Sequence, residues 1–127
     1  MEIGIIGLGD MGKLYAREFV KQGYRVNGCD LPAKRSQLEQ ELQGTGINIF
    51  DDGAAVSRRS DLIVYSVEAE NIGKVVSQFG PSTKQGAIVA GQTSVKTPEI
   101  AAFEKYLPQD VNIVTCNSLH GQSVSPA

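Results

Sequence analysis

The sequence is poor in the residues that build metal centres and disulfide frameworks. It has two cysteines, Cys29 and Cys116, and a single histidine among 127 residues. Both cysteines lie in apolar, strand-like stretches, and neither takes part in a C-x-x-C motif or a Cys/His pair at metal-ligand spacing. We therefore predict two reduced, buried thiols in an intracellular protein, and no metal site.

Long hydrophobic runs and an excess of one charge are also missing. No apolar stretch approaches the roughly 18 residues that a membrane span needs, and no signal peptide is evident at the N-terminus. The net charge is −2, with 41% hydrophobic and 20% charged residues, which is ordinary for a globular domain. These features predict a cytoplasmic protein with neither nucleic acid nor a membrane among its partners.

Short apolar runs alternate with helical patterns along the whole chain, and no linker or repeat interrupts them. This alternation predicts an α/β fold, a Rossmann-type, doubly wound parallel sheet of about six strands in the order 3-2-1-4-5-6. The predicted strands are Ile3–Ile6, Arg25–Cys29, Ile47–Phe50, Leu62–Ser66, Ala87–Ala90 and Asn112–Thr115. The predicted helices are a first one that ends at Gly23, then Ala33–Leu42, Ala54–Arg59, Ala69–Phe79 and Pro98–Tyr106.

The first predicted helix has apolar residues at helical spacing. Met11, Leu14, Tyr15 and Phe19 fall at i, i+3, i+4 and i+8, which predicts one buried stripe.

The first strand leads into a glycine-rich turn that bears on function. The turn is Gly7-Leu8-Gly9-Asp10-Met11-Gly12, a G-x-G-x-x-G motif between an apolar run and an amphipathic segment, which is typical of dinucleotide-binding folds. Gly7 permits the tight turn, Gly9 lets the backbone approach a pyrophosphate, and Gly12 lets the helix pack closely. All six residues are predicted to bind the cofactor, with its phosphates at the helix N-terminus, where N–H groups and the helix dipole favour an anion.

The end of the second predicted strand bears on the choice of cofactor. Asp30 lies where an acidic side chain accepts hydrogen bonds from the adenosine ribose of NAD. Lys34 and Arg35 follow closely and are suited to pair with the 2′-phosphate of NADP, although both also suit a solvated helix face. Spacing alone leaves NAD and NADP open.

Three polar loops follow later strands, at the sheet edge where open parallel sheets bind ligands. In the first loop, Ser66 and Val67 are expected to face the nicotinamide half of the cofactor. In the second, Gln92 and Ser94 offer amide and hydroxyl groups. The third contains His120, the only histidine; a lone histidine is more often structural, but this position makes it a catalytic candidate.

At these loops the sequence resembles the prephenate dehydrogenase family, most closely its fungal NADP-dependent form. The resembling stretches cover the chain from end to end: Ile3–Gly12, Cys29–Pro32, Tyr65–Glu70, Gly91–Ser94, Pro98–Lys105 and Ser118–Gly121. The resemblance implies an oxidoreductase of tyrosine biosynthesis, an aromatic amino acid pathway, that converts prephenate to 4-hydroxyphenylpyruvate by oxidative decarboxylation. NADP is then the expected cofactor, with NAD as the alternative, and prephenate is the expected small-molecule substrate.

The resemblance also implies catalytic positions. Ser94 matches a serine that supports the nicotinamide and a catalytic histidine, and that histidine holds the ring hydroxyl of the substrate. Alignment on Gly121 puts Asn117 at the histidine's position and His120 at a variable one. Asparagine can hydrogen-bond a hydroxyl but takes up no proton near neutral pH. A natural variant, an engineered substitution and a takeover of the role by His120 all stay open.

Members of the family continue into a helical domain that dimerises and binds the substrate's carboxylates, and this domain is expected to be absent here. Residues 1–127 are then an NAD(P)-binding domain that binds cofactor but has little activity alone, because hydride transfer needs a shielded pocket. A homodimer is expected only with the helical domain. Two alternatives stay open: the cofactor domain of a 3-hydroxyacid dehydrogenase, a class that also carries G-L-G-x-M-G, and a non-catalytic NAD(P)-sensing module.

Overall fold

A computed structural model describes residues 1–67, 69–91 and 102–115, and within these ranges the chain forms one parallel sheet. Its strands are β1 (Glu2–Ile6), β2 (Arg25–Cys29), β3 (Asn48–Phe50), β4 (Leu62–Tyr65), β5 (Ile88–Gly91) and β6 (Asn112–Thr115). They lie in the order β3-β2-β1-β4-β5-β6, and every neighbouring pair is parallel. The predicted Rossmann-type order is therefore confirmed.

The helices alternate with the strands as predicted, except that one predicted helix is divided in two. They are α1 (Asp10–Lys21), α2 (Arg35–Glu41), α3 (Gly53–Arg59) and α4 (Ala69–Phe79), and residues 102–106 are also helical. The second predicted helix is divided into a 3₁₀ turn at Pro32–Lys34 and α2, and the start of the last one lies outside the described residues. No helix in the described ranges is long and apolar enough to cross a membrane.

The strands alternate their side chains between two apolar layers. Ile5 of β1 belongs to the layer that contains Ala16 of α1 and Leu38 of α2. The next residue, Ile6, belongs to the opposite layer with Val56 of α3. Since both faces are covered, the strands are apolar on both sides, as parallel strands usually are. Because every neighbouring pair of strands is parallel, the carboxyl ends of these six strands lie along one edge of the sheet.

The buried face of α1 differs from the prediction. Met11 and Leu14 are exposed, Leu14 by 57%, whereas Gly12 and Ala16 are buried. The helix lies against the sheet through these two small residues, so its larger apolar residues at i and i+3 turn outward. The predicted stripe is right for its aromatic members, which are partly buried, and wrong for Met11 and Leu14.

The amino-terminal edge of the sheet is closed by polar contacts. The side-chain amide of Asn27 donates to Glu2 Oε1 over 2.8 Å, and this hydrogen bond lowers the pKa of Glu2. Asp61 pairs with Lys84, which lowers the pKa of Asp61, and also accepts from the backbone N–H of Glu2. These contacts hold the start of β1 to β2 and to the loop before β4.

The exposure of Leu14 can be tested against a buried leucine of the same layer. Leu14→Ala is expected to change the free energy of unfolding by less than about 0.5 kcal/mol, because that side chain has little burial to lose. Leu38→Ala removes the same atoms from a side chain that is 3% exposed, and should cost about 2–5 kcal/mol. Denaturant unfolding followed by circular dichroism measures both. Equal losses would mean that α1 buries the face predicted from periodicity.

Candidate functional site

The turn between β1 and α1 is folded tightly against the end of β4. Gly7 has a φ of 101°, a conformation that favours glycine, and its N–H donates to the carbonyl oxygen of Cys29 over 2.9 Å. A Cβ on Gly7 would lie 2.3 Å from the carbonyl oxygen of Ser66, and one on Gly12 would lie 1.9 Å from the carbonyl oxygen of Gly7. No side chain fits at either position, so both glycines are needed for the fold of the turn itself.

The opposite side of the turn is open. A Cβ on Gly9 would have no heavy atom of the described structure within 4 Å. Among the described residues no side chain caps α1 at its start, and Gly9 O accepts the first helical hydrogen bond, 2.9 Å long, from the backbone N–H of Lys13. The amides of the first helical turn and the positive end of the dipole are therefore available to an anion on this side. Gly9 has no structural requirement of its own, which points to a ligand.

Asp30 is bound to the glycine turn. Its Oδ2 accepts from the N–H of Leu8 over 2.7 Å, and its Oδ1 accepts from the N–H of Leu31 over 2.7 Å. The side chain of Leu8 is buried in the core, so the group that Leu8 offers to Asp30 is its backbone N–H. The carboxylate thus ties the end of β2 to the turn, and each oxygen keeps a lone pair for a further donor.

A shallow depression opens beside Asp30, between the carboxyl ends of β2 and β3. Its floor is apolar and its rim is charged. The lining residues are Asp30, Leu31, Pro32, Arg35, Leu38, Ile49, Phe50 and Asp51. An apolar floor with a few polar groups at the rim is the usual character of a small-molecule site.

Two cations follow the end of β2, and they differ in their contacts. Arg35 pairs through Nη1 with Asp51 and through Nε with Glu39, the latter over 3.1 Å. Both hydrogen bonds, that of Asp51 more strongly, raise the pKa of Arg35. Lys34 is exposed and makes no ion pair with any residue that the structure describes. An anion that reaches this rim would meet one unpaired and one paired cation.

Cys29 immediately precedes Asp30 but does not line the depression beside it. It is a free thiol, buried as predicted, and its burial raises its pKa to about 12. It stays protonated near neutral pH and is a packing residue rather than a nucleophile. Cys116 lies outside the described residues. Within those residues, no group of three or more His, Cys, Asp or Glu side chains could hold a metal ion.

The fold brings together many of the predicted site residues that the structure describes. Ser66 N–H donates to Ile6 O over 2.7 Å, which holds the end of β4 against the glycine turn, and Val67 Cγ1 lies 3.0 Å from the position of a Cβ on Gly7. The turn, Asp30 and these two residues therefore share one edge, with Lys34 and Arg35 beyond Asp30. Their roles stay predictions. The site predictions that lie outside the described residues are Gln92, Ser94, Asn117 and His120.

Asp51 and Phe50 line the depression but were not predicted from the sequence. They stand at the carboxyl end of β3, which neighbours β2 in the sheet. The rule that ligands bind beyond the carboxyl ends of strands applies to this end as well, and it was the available signal. The neighbouring Asp52 has a structural task, since its Oδ1 accepts from Ala54 N at the start of α3 over 2.9 Å.

A parallel sheet in this order, a glycine turn open at a helix N-terminus and an acidic residue at the end of β2 define a dinucleotide-binding Rossmann domain. Comparison with known families agrees. The chain belongs to the family of the NAD binding domain of 6-phosphogluconate dehydrogenase, which matches residues 2–114.

Two fungal relatives are similar over nearly the whole chain. The probable prephenate dehydrogenase (NADP+) of Schizosaccharomyces pombe is 55% identical over 125 residues, which are 98% of this chain and 29% of the relative. The prephenate dehydrogenase (NADP+) of Saccharomyces cerevisiae is 53% identical over 123 residues, which are 97% of this chain and 27% of the relative. The chain thus spans less than a third of the length of these curated relatives.

Solved structures are similar at lower identity. Mycobacterium tuberculosis 3-hydroxyisobutyrate dehydrogenase superposes with a TM-score of 0.73 and 16% identity, over 90% of this chain and 39% of that one. At this identity the likeness shows the fold alone.

The inertness of Cys29 can be tested in a Cys116→Ser variant, where it is the only thiol. Because its pKa is raised to about 12, folded protein should hold almost no thiolate at pH 8. Titration with a disulfide reagent is expected to detect less than about one tenth of the thiol in minutes when folded, and all of it in denaturant. Rapid labelling of the folded variant would contradict the burial of Cys29.

Proposed function

We propose that this chain is the cofactor-binding domain of a cytoplasmic, NADP-dependent prephenate dehydrogenase. The observation that carries the proposal is the identity of more than half its residues to two proteins of that name, over a chain with an open dinucleotide turn. NADP, when bound, would supply the hydride acceptor for the oxidative decarboxylation of prephenate to 4-hydroxyphenylpyruvate. Likeness to a 3-hydroxyisobutyrate dehydrogenase supports only the fold, so a 3-hydroxyacid substrate has less support.

The binding half of the proposal assigns the pyrophosphate to the glycine turn. The open backbone at Gly9 and the uncapped start of α1 fit an anion there, since no side chain in the described part of the chain lies close to Gly9 or caps the helix. The adenosine is assigned to the depression between Asp30 and Phe50, whose apolar floor suits a base. Asp30 keeps the turn and this depression in a fixed relation through its bond to Leu8.

The preference for NADP is assigned to Lys34 and Arg35. A carboxylate at the end of β2 would ordinarily repel a 2′-phosphate, but both oxygens of Asp30 accept backbone N–H groups, which partly offset its charge. The two cations on the next turn of chain can then pair with the phosphate. NAD stays the alternative cofactor, with Asp30 as an acceptor for the ribose hydroxyls.

The reacting half of the site is proposed from the family resemblance. Ser66, Val67 and Gln92 would face the nicotinamide, and Ser94 would orient the group that holds the substrate hydroxyl, either Asn117 or His120. The greater length of the relatives leaves room for a helical domain that binds prephenate and dimerises. The isolated 127-residue chain is accordingly proposed to bind NADP with little turnover.

Activity of the full-length protein tests the substrate. NADP reduction with prephenate is expected, and none with 3-hydroxyisobutyrate. Asn117→His and His120→Ala variants decide which residue holds the substrate hydroxyl, because only one of them should change turnover with prephenate greatly. Reduction with the 3-hydroxyacid alone would reject the proposed substrate, and absence of turnover despite tight NADP binding would favour a sensing module.

The glycine turn gives a test of binding that leaves the fold intact. Gly9→Val should keep the free energy of unfolding within about 1 kcal/mol of the wild type, because no described atom meets its Cβ. It should abolish dinucleotide binding, since the branched side chain would occupy the approach of the pyrophosphate. Gly73→Val is the matched control, because Gly73 of α4 is equally free of close neighbours. Calorimetric titration that finds normal binding to Gly9→Val would reject the phosphate site.

The two cations give a test of cofactor preference. Replacing Lys34 and Arg35 together by alanine should weaken NADP binding about 10- to 100-fold, as expected for losing charge-assisted hydrogen bonds to a phosphate. NAD has no 2′-phosphate, so its affinity should change by less than about threefold. Parallel titrations with both cofactors measure the ratio. Equal or tighter binding of NAD by the wild-type chain would contradict NADP preference.

A further inference from the structure

The contacts of Arg35 go in two directions. Glu39 lies one turn further along α2 and belongs to the outer surface of that helix, whereas Asp51 directly follows β3 and lines the depression. Arg35 therefore bridges its own helix and the segment that follows the neighbouring strand. The pair with Asp51 spans the rim at which an adenosine 2′-phosphate would have to meet the guanidinium.

Asp51 is held weakly in this arrangement. Its side chain is 79% exposed, and Arg35 is its only ion-pair partner among the described residues. Ion pairs this exposed contribute little to stability, because water competes for both partners. Exchange of the Asp51 carboxylate for another anion therefore disturbs no packed part of the fold.

A phosphate dianion is the stronger partner for a guanidinium. It carries more charge than a carboxylate and offers three oxygens to the planar donors of arginine. Once the phosphate is bound, however, the displaced Asp51 carboxylate remains at the rim of the same depression and repels it. NAD requires no such exchange, since Arg35 can stay paired with Asp51 when no 2′-phosphate is present.

We propose that Asp51 is a specificity-determining residue that competes with the 2′-phosphate of NADP for Arg35 and so limits the preference for NADP over NAD. This inference rests on the proposed function, because it concerns the same binding site. Asp51 mimics the phosphate in the free protein, keeps Arg35 oriented toward the depression, and lowers the affinity for the phosphorylated cofactor by the cost of its own displacement.

Asp51→Asn tests the inference directly on the 127-residue chain. The amide keeps the size of the side chain and removes the charge, so NADP should bind about three- to tenfold more tightly, while NAD should change by less than about twofold. The gain should fall in 0.5 M salt to about half or less, because exposed charges are screened. Calorimetric titration with NADP and NAD, at low salt and in 0.5 M salt, measures four affinities for the wild type and four for the variant.

Two further variants separate competition from a general effect of charge. Glu39→Gln removes one negative charge from the other partner of Arg35, outside the depression, and should change NADP affinity clearly less than Asp51→Asn. In an Arg35→Ala background, Asp51→Asn should give a smaller gain than in the wild type, because there is no guanidinium left to release. Equal gains in both backgrounds, or equal effects of Glu39→Gln and Asp51→Asn, would overturn competition for Arg35.

The outcomes also distinguish this inference from the function on which it rests. If the wild-type chain binds neither cofactor, the proposed dinucleotide site is wrong. If it binds both and Asp51→Asn leaves the ratio of their affinities unchanged, only the role of Asp51 is rejected. Weaker NADP binding by Asp51→Asn would show that Asp51 supports Arg35 rather than competing for it, and would also overturn the inference.

Discussion

The site depends on one close backbone contact, that of the first turn of α1 against the glycine turn and the end of β4. Hydrogen atoms are all that fit between Gly12 and the carbonyl oxygen of Gly7, and between Gly7 and the carbonyl oxygen of Ser66. This contact draws the N-terminus of α1 over the carboxyl edge of the sheet. It thereby brings the amides of the helix, the end of β2 and the end of β4 within reach of one ligand.

Charged side chains beyond the ends of the neighbouring strands β2 and β3 also form contacts within this edge of the sheet. The carboxylate of Asp30 accepts a hydrogen bond from the backbone of the turn, and the guanidinium of Arg35 forms an ion pair with Asp51. Two of the three groups predicted at the ribose end of the cofactor, Asp30 and Arg35, are therefore engaged within the protein, whereas Lys34 makes no ion pair with any described residue. In the proposed site, binding at this rim would exchange these partners, so residues outside the motif, such as Asp51, would influence which cofactor is preferred.

The fold was predictable because its signals are local. Apolar runs of strand length, separated by helical periodicity, lead to right-handed crossovers and a parallel sheet, and the glycine turn fixes where the order of strands reverses. The error in the buried face of α1 has a clear cause. Periodicity counts large apolar residues, so it assigned Met11 and Leu14 to the core, while the close approach of α1 depends on the small residues Gly12 and Ala16. The division of the second helix by a 3₁₀ turn at Pro32–Lys34 has no counterpart in the apolar periodicity.

The sequence alone predicted the class of fold, the order of the strands, the glycine turn that we propose binds the phosphates and, through its resemblance, the family expected for the whole protein. Only the tertiary structure decided that Gly9 is open while Gly7 and Gly12 are closed, that Asp30 is bound to Leu8, and that Asp51 faces Arg35. The physical reason is distance along the chain. A motif reports residues that are neighbours in sequence, whereas these contacts join segments that are far apart in the chain, and they form only when the sheet brings its carboxyl ends together.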